Sequence, residues 1–204
     1  MIFFDLDGTL HKQDIFGSFL LYLIFHYPLN IFLLLPLLPV ILIGLIVQGF
    51  ESRWPISLLL WSITFGRNEN SLICIEKNFA KLFKSRMTIF PIVQKKLINY
   101  IKSENTDVWI ITGSPKSLVE HIYRDFSFFK QIYLIGTVMK RKFGGRILKV
   151  RCLGYEKVIQ LEKKIGMPLK LYSGYSDSKK DDPLLFFCDY RWRVTSNGTL
   201  KKIE

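Results

Sequence analysis

The sequence predicts an α/β fold: a Rossmannoid parallel sheet with a helical, membrane-associated insertion after its first strand. Three observations lead to this prediction. The apolar residues 1–4 run directly into an acidic turn, as a short buried strand would. Residues 15–50 contain no Asp, Glu, Lys or Arg. From residue 106 onward, short apolar stretches alternate with helical patterns, which is typical of a parallel sheet.

Length and composition fit this division. We expect the 204 residues to form a core, residues 1–10 and 106–204, and a helical cap, residues 11–105. The chain has 29 Lys and Arg against 17 Asp and Glu, so its net charge of +12 favours polyanions. It has no arginine-rich tail and no nucleic-acid-binding module, and its residues are 49% hydrophobic, so an anionic membrane is expected rather than nucleic acid.

The same survey gives two further expectations. Nothing in the sequence indicates an obligate protein partner. Three cysteines, Cys74, Cys152 and Cys188, are an odd number without metal-binding spacing. They predict free thiols in a reducing compartment.

Asp5 and Asp7 lie where the first strand ends. Residues i and i+2 of a strand point to the same side, and Gly8 allows a sharp turn directly afterwards. Two carboxylates held this close repel each other unless a cation or a shared proton is present. The pattern therefore favours a divalent-metal site that handles phosphate, the alternative being a strand that simply ends in an acidic turn.

The uncharged stretch begins soon after this turn. A membrane-spanning helix needs about 20 apolar residues, and residues 31–47 are almost wholly Leu, Ile, Val, Phe and Pro. No polar stripe interrupts them, so we expect membrane embedding, the alternative being a buried helix pair of a soluble protein. A signal peptide is not expected, because cleavage would remove Asp5.

Topology limits how this stretch meets the membrane. Asp5 must share a site with residues beyond the stretch, so the number of crossings between them is even, including zero. Pro36 and Pro39 predict a break and hence a hairpin of two helices, about residues 15–35 and 37–50. The hairpin could be re-entrant, spanning or interfacial. Residues 54–65, with two tryptophans suited to the headgroup level, could instead supply the second crossing and make the number of crossings even.

Basic and amphipathic segments follow. Apolar spacing predicts packing helices between residues 68 and 102, the second opened by Pro91. Residues 107–112 form a predicted buried strand, and Gly113, Ser114 and a helix begun at Pro115 come next. A hydroxyl at the end of a strand, here Thr112, followed by backbone N–H groups at a helix start makes a phosphate cradle.

A predicted strand at residues 131–137 leads into a basic β-hairpin with a Gly-Gly turn. The hairpin carries Lys140, Arg141, Lys142 and Arg146. It is either a solvated surface or a contact with lipid phosphates. In the second case each basic side chain would contribute about 1 kcal/mol to membrane binding.

The last candidate site residues are a lysine at the start of a predicted helix and two acids after a predicted strand. Lys157 lies in the first turn of a helix predicted over residues 154–165, where a lysine is unfavourable unless an anion is near. Asp177 and Asp181 follow a predicted strand and supply oxygen ligands for a hard cation, with Asp182 a weaker candidate. A solvent-facing Lys157 is the alternative. Residues 191–195 and 200–203 predict a closing hairpin.

Together these stretches resemble the four motifs of the haloacid dehalogenase (HAD) superfamily, subfamily IB-like, with a C1-type cap. The resemblance implies that Asp5 is the nucleophile that forms an aspartyl-phosphate, and that Asp7 is the general acid and then the general base. Thr112, Gly113 and Lys157 would bind the phosphoryl group. Mg²⁺ would be held by Asp5, the Asp7 backbone carbonyl and Asp177, with Asp181 acting through water or orienting Lys157.

Longer stretches resemble the phosphatidylglycerophosphatase C family of bacterial inner membranes. They are residues 4–19, 54–65, 151–157 and 171–185. This resemblance implies hydrolysis of phosphatidylglycerophosphate to phosphatidylglycerol and phosphate, with the catalytic domain on the cytoplasmic side. The basic hairpin would then contact lipid. Two alternatives remain: a phosphatase of the same fold acting on a small soluble monoester, and a non-catalytic membrane-binding module.

Overall fold

The computed structural model describes residues 1–49, 51–103 and 106–203. A seven-stranded sheet forms its centre, with strand order β4-β3-β2-β1-β5-β6-β7. The strands are β1 (Ile2–Phe4), β2 (Val108–Pro115), β3 (Tyr133–Lys142), β4 (Gly145–Val150), β5 (Leu171–Ser176), β6 (Cys188–Val194) and β7 (Leu200–Ile203).

The sheet is mostly parallel, as the sequence predicts. The four pairings among β3, β2, β1, β5 and β6 are parallel, whereas β4 and β7 pair antiparallel at the two edges. Both antiparallel edges are hairpins at the predicted positions. The turn of the first has left-handed φ at Phe143 and Gly144, and the turn of the second has it at Gly198, which explains the glycines there.

β1 is the topological switch point. The chain runs from β1 outward through β2 and β3 on one side, and through β5 and β6 on the other. Its side chains are fully buried, because helices cover both faces of the sheet. Ligands of open α/β sheets bind beyond the carboxyl ends of the strands at such a point, and Asp5 comes directly after β1.

All the helices between β1 and β2 belong to the predicted insertion. They are α1 (Ile15–His26), a 3₁₀ turn (Pro28–Asn30), α2 (Ile31–Gln48), α3 (Arg53–Thr64), α4 (Glu69–Arg86) and α5 (Pro91–Lys102). The helix α5 begins at Pro91 and ends at Lys102, as predicted. The boundary expected between 105 and 106 adjoins Glu104 and Asn105, which lie outside the described residues.

Three helices and two 3₁₀ turns complete the core. They are α6 (Lys116–Tyr123), a 3₁₀ turn (Ser127–Gln131), α7 (Tyr155–Ile165), a 3₁₀ turn (Lys179–Asp181) and α8 (Asp182–Leu185). The helices α6 and α7 follow β2 and β4 and begin at the edge of the sheet where β1 ends. Cys74, Cys152 and Cys188 are free thiols, as expected from their number and spacing.

The predicted helical hairpin is wrong in its break point. The first helix ends at His26 and not near residue 35, whereas Pro36 and Pro39 both lie inside α2. Tyr27 leaves the helical conformation because it precedes Pro28, which starts the 3₁₀ turn. A proline ring is compatible with helical φ, so α2 continues past both of its prolines, although each lacks a backbone N–H and its ring crowds the carbonyl four residues earlier. Phe50, the predicted end of the second helix, lies outside the described residues.

The segment Pro28–Gln48 is apolar and little buried. Its mean hydropathy is 2.7 and only 17% of its most apolar window is buried, so by length and composition it could cross a membrane. Both of its ends are fastened to α3. Asn30 donates to the carbonyls of Ile63 and Phe65, at 2.6 and 3.1 Å, and Trp54 donates to the Gln48 side chain at 2.6 Å. Therefore α2 lies antiparallel along α3.

Helix α3 in turn packs on β4. The backbone N–H of Arg146 donates to the Thr64 hydroxyl at 2.8 Å, and the Arg53 guanidinium donates to the Lys149 carbonyl at 2.8 Å. The Ser57 hydroxyl accepts from the Leu148 N–H at 3.2 Å. Hence α3 and α2 extend the molecule beyond the β4 edge of the sheet.

Candidate active site

The carboxyl ends of β1, β2 and β5 open into a cavity of about 510 Å³. The helices α1, α3 and α7 complete its wall, so the cavity lies between the core and the insertion. Its polar lining comes from the core motifs and from Lys12, Asp14 and Arg151, and its apolar lining from Phe16, Leu20, Ile56 and Leu153. The core motifs contribute Asp5, Asp7, Gly8, Gly113, Ser114, Lys157, Asp177, Ser178, Lys180 and Asp181.

Three charged side chains are buried at the floor of this cavity. The Lys157 ammonium donates to Asp5 Oδ1 at 2.8 Å and lies 2.7 Å from Asp181 Oδ1. Lys157 and Asp181 are each 2% exposed, and Asp5 is 6% exposed. The other Asp181 oxygen accepts the Ser176 hydroxyl at 2.7 Å. Thus Lys157 is not solvent-facing, and Asp181 contacts it directly.

The charges of this group depend on one another. Burial raises the pKa of the Asp5 carboxyl well above its usual value; Lys157 opposes this rise, and the Asp181 and Asp7 carboxylates reinforce it. Burial alone would lower the pKa of Lys157, but Asp181 and Asp5 outweigh it and raise that pKa above its usual value. The protonated lysine is therefore what favours an ionised, nucleophilic Asp5.

Replacing Lys157 with Met is expected to destabilise the fold by about 3–5 kcal/mol, because it leaves two carboxylates buried without a counter-charge. Urea unfolding at neutral pH measures this loss. The loss should shrink as the pH falls, since burial raises the pKa of the Asp5 carboxyl, which is therefore neutralised first in the folded protein. The exposed Lys163 of the same helix, replaced with Met, is the matched control. An unchanged free energy of unfolding in the Lys157 variant would contradict the buried geometry.

Asp7 accepts hydrogen bonds from both the core and the insertion. Its Oδ1 accepts the backbone N–H of Ile15 at 3.0 Å and lies 3.2 Å from His11 Nε2. Its Oδ2 accepts the Ser114 hydroxyl at 2.6 Å and the Thr112 hydroxyl at 3.4 Å. Because Ile15 is the first residue of α1, the expected acid–base carboxylate is fixed at the junction of the insertion with the sheet.

Asp177 lies against the turn that follows β1. Thr9 donates to Asp177 Oδ1 at 3.2 Å, and a Cβ on Gly8 would collide with the Asp177 carboxylate. A larger residue at Gly8 would therefore displace Asp177, and the φ of Gly8 is also left-handed at 73°. Burial raises the pKa of Asp177, which indicates that its ionised form needs a compensating cation.

The donor set fits Mg²⁺. In the part of the chain that the structure describes, no three Asp, Glu, His or Cys side chains group into a closed metal site. The expected set needs only two, Asp5 and Asp177, together with the backbone carbonyl of Asp7. Mg²⁺ is usually bound by one or two carboxylates, with water and substrate phosphate completing its octahedron. Asp181 is engaged with Lys157, so its remaining expected role is to orient that lysine.

Other predicted residues lie elsewhere. Thr112 is fully buried behind Asp7 and does not line the cavity, whereas Gly113 and Ser114 do. Asp182 does not line it either, since it pairs with Arg193. Of the expected phosphate cradle, only Gly113 and Ser114 line the cavity, and the Ser114 backbone N–H donates to the Thr112 hydroxyl at 3.0 Å.

The basic hairpin is not part of the cavity. Lys140, Arg141 and Lys142 are exposed on β3, outside the cavity lining. Arg146 was expected to act with them, and that expectation is wrong. It is only 5% exposed and is paired with the buried Glu76 and with Glu69 of α4. Its charge holds the insertion against the sheet and is not available to a ligand.

Several polar residues of the site were not assigned to it from the sequence, among them His11, Ser114 and Arg151. His11 is fully buried between Asp7 and Tyr123, with its Nδ1 2.7 Å from the Tyr123 hydroxyl. Ser114 donates to Asp7, and Arg151 lines the cavity. Ser114 could have been found from its place directly after the Thr-Gly pair. Nothing in the local pattern distinguishes His11 or Arg151 from ordinary surface residues.

This arrangement can be compared with known proteins. A model of the family described as haloacid dehalogenase-like hydrolase matches residues 2–185. The chain belongs to this family. The match spans the whole set of polar residues at the cavity floor, from Asp5 to Asp181. The HAD hydrolase assignment thus agrees with the observed position of this set at the switch point of the sheet.

Solved structures of other proteins share the fold. A protein of unknown function from Bordetella pertussis Tohama I matches with a TM-score of 0.63 and 16% identity, over 90% of this chain and 84% of that one. A phosphoserine phosphatase, solved as a phospho-aspartyl intermediate analogue, matches with a TM-score of 0.57 and 14% identity, over 93% of this chain and 83% of that one. A phosphoserine phosphohydrolase-like protein from Francisella tularensis subsp. tularensis SCHU S4 matches with a TM-score of 0.54 and 16% identity, over 93% of this chain and 84% of that one. Such low identities show the fold alone.

Proposed function

We propose that this HAD hydrolase is a Mg²⁺-dependent phosphatase that converts phosphatidylglycerophosphate into phosphatidylglycerol and inorganic phosphate. The observation that carries the phosphatase part is the buried Asp5–Lys157–Asp181 group beside Asp7 at the switch point of the sheet. One buried cation between two carboxylates keeps a nucleophile ionised and also offers a positive charge to an incoming phosphoryl group.

The chemistry follows from these positions. An Asp5 oxygen attacks phosphorus, the bond from phosphorus to the ester oxygen breaks, and Asp7 gives a proton to that leaving oxygen. Asp7 then takes a proton from water, and the water oxygen displaces Asp5 and releases inorganic phosphate. Lys157 stabilises the charge on the transferred group, beside the cavity-lining Gly113 and Ser114. Bound Mg²⁺ would neutralise the phosphoryl oxygens and the Asp5 carboxylate.

The shape of the cavity supports an amphiphilic substrate. Its floor is charged, but Phe16 and Leu20 of α1, Ile56 of α3 and Leu153 form an apolar part of its wall. A small polar ester would bury nothing against these side chains, whereas the glyceryl ester region of a lipid would. The amphiphilic wall therefore favours a phosphomonoester attached to a lipid.

An uncovered apolar face next to this wall supports a membrane location. Large hydrophobic side chains of α1, the following 3₁₀ turn and α2 are more than 45% exposed: Leu21, Phe25, Leu29, Phe32, Leu35, Val40, Leu42, Ile43, Ile46 and Val47. Large exposed apolar surfaces mark sites of interaction with proteins or membranes. We propose that this face, called the docking face below, inserts into the cytoplasmic leaflet of a bacterial inner membrane.

The positions of the helices favour insertion in the plane of the leaflet. At about 1.5 Å per residue, the 12 residues of α1 span about 18 Å, short of the roughly 30 Å hydrocarbon core. Both ends of α2 are hydrogen-bonded to α3, which packs on β4 of the core. A helix fastened at both ends to the catalytic domain lies along the membrane surface, which makes the number of crossings zero. The exposed Lys140, Arg141 and Lys142 would face anionic headgroups.

Phosphate release by the purified full-length protein tests the function. The substrates are phosphatidylglycerophosphate and phosphatidic acid in detergent micelles and soluble p-nitrophenyl phosphate, each with Mg²⁺ and with EDTA. We expect Mg²⁺-dependent release, with kcat/KM highest for phosphatidylglycerophosphate. Turnover of the soluble ester alone would favour a soluble substrate, a possibility raised by the shared fold with phosphoserine phosphatases. No release from any substrate would indicate a non-catalytic membrane-binding module.

A further inference from the structure

Arg151 is a cation in the cavity wall that the phosphatase chemistry does not use. It lies between β4 and α7, in the loop that also supplies Leu153 to the apolar part of the wall. The phosphoryl group is already served by Lys157 and by the proposed metal. Arg151 is one of three further cations in the lining, with Lys12 and Lys180, and it needs a different explanation.

The guanidinium of Arg151 is incompletely satisfied. One terminal nitrogen donates to the Ser52 carbonyl at 3.0 Å, but the Nε–H is buried and has no partner among the described residues. No carboxylate that the structure describes forms an ion pair with it; Glu51 is a more distant acidic neighbour. A buried donor on a charged group is costly to leave unpaired. A planar fork with free donors matches a phosphate or carboxylate group.

We propose that Arg151 binds a second anionic group of the substrate, separate from the phosphate monoester that is hydrolysed. The substrate class is then a phosphomonoester that carries another anion a few bonds away, with an apolar part against Phe16, Leu20 and Ile56. This inference rests on the proposed function and deepens it: in phosphatidylglycerophosphate the second anion is the phosphodiester that joins glycerol to the lipid. Phosphatidic acid has a monoester and the same acyl chains but no second anion.

The position of Arg151 gives it this selectivity. Its hydrogen bond to Ser52 fixes the guanidinium against the start of α3. Arg151 lines the same cavity as Asp5 and the apolar Ile56, so a substrate held at Asp5 shares that cavity with the guanidinium. Arg151 is thus a specificity-determining residue and not a participant in bond breaking.

The test compares substrates that differ in the second anion. We expect Arg151→Gln to raise KM for phosphatidylglycerophosphate by about tenfold or more, the change expected for loss of a hydrogen bond between charged groups. We expect little change in kcat for that lipid. We also expect little change in kcat and KM for phosphatidic acid and for p-nitrophenyl phosphate. Arg151→Lys should restore part of the preference, because it keeps the charge and loses the fork. The control is Arg53→Gln, which removes an exposed arginine at the start of α3 that lies outside the cavity lining.

A soluble pair separates this inference from the lipid function. We would also measure 3-phosphoglycerate, which has a carboxylate beside its monoester, against glycerol 3-phosphate, which has none. If the wild-type protein hydrolyses neither lipid, the proposed lipid function fails. A preference for 3-phosphoglycerate that disappears in Arg151→Gln would still support the role of Arg151. An Arg151→Gln variant that weakens all substrates equally, or leaves both preferences unchanged, overturns the inference.

Discussion

Replacing Asp5 with Asn is expected to lower kcat for phosphate monoesters by about 10⁴-fold or more, the order of effect seen when a covalent nucleophile is removed. The amide has no oxygen nucleophilic enough to form the acyl-phosphate, and the other groups at the cavity floor cannot replace that step. Steady-state phosphate release at saturating substrate and Mg²⁺ measures the change. Retained activity in the purified variant would exclude Asp5 as the nucleophile.

The same variant should keep its fold. Burial and the nearby carboxylates raise the pKa of Asp5, so its ionised form is held at a cost in the folded protein. Removing that charge leaves Lys157 paired with Asp181 and relieves the repulsion between carboxylates. We therefore expect an unchanged or slightly higher Tm at neutral pH, and unchanged vesicle binding. The exposed Asp189, replaced with Asn, is the control for both activity and Tm.

The triple variant Phe32→Ser, Ile43→Ser and Ile46→Ser is expected to weaken binding to anionic vesicles by about 10³-fold or more. These side chains are 76%, 61% and 82% exposed and lie on one side of α2, toward the middle of the docking face. Each is worth about 1.5 kcal/mol or more when moved from water into an apolar phase. Cosedimentation with vesicles of phosphatidylglycerol and phosphatidylethanolamine measures the loss.

A matched control shows whether the position of the apolar side chains matters. Phe186 is 67% exposed but follows α8 and lies near Arg191 of β6, toward the opposite edge of the sheet. Phe186→Ser should bind vesicles as the wild-type protein does. The triple variant should also hydrolyse p-nitrophenyl phosphate at the wild-type rate, because the three side chains lie outside the cavity lining. Undiminished vesicle binding by the triple variant would contradict docking through α2.

The parts of the fold that local patterns specify were predicted well. The helix α5 was expected between Pro91 and Lys102 and has those bounds, because proline favours a first helical position. The two hairpins occur at glycine turns, and the parallel centre of the sheet follows from the alternation of strands and helices. Lys157 and Asp181 were expected near Asp5 from the resemblance of their stretches to HAD motifs, and the Lys157 ammonium pairs with both carboxylates at the floor of the cavity.

Interactions between distant segments were not predictable in this way. The hydrogen bonds of Asn30 and Trp54 fasten α2 along α3, and Pro36 and Pro39 do not break it, so the helical hairpin was placed wrongly. Arg146 looked like one more charge of the basic hairpin, but Glu76 of α4 reaches it across 70 residues of sequence. His11 contacts Asp7 locally, but its other ring nitrogen is engaged only because α6 brings Tyr123 beside it.

The sequence alone determined the chemistry available to this protein: paired carboxylates after a first strand, a lysine at a helix start, a second acidic pair, and an uncharged stretch of 36 residues from 15 to 50. Residue types and short spacings carry that information because strand ends and helix starts are local features. Only the tertiary structure decided that Arg146 is structural, that Arg151 faces the cavity and that α2 lies along α3. Burial and pairing between remote segments arise when the chain packs, and no local pattern records them.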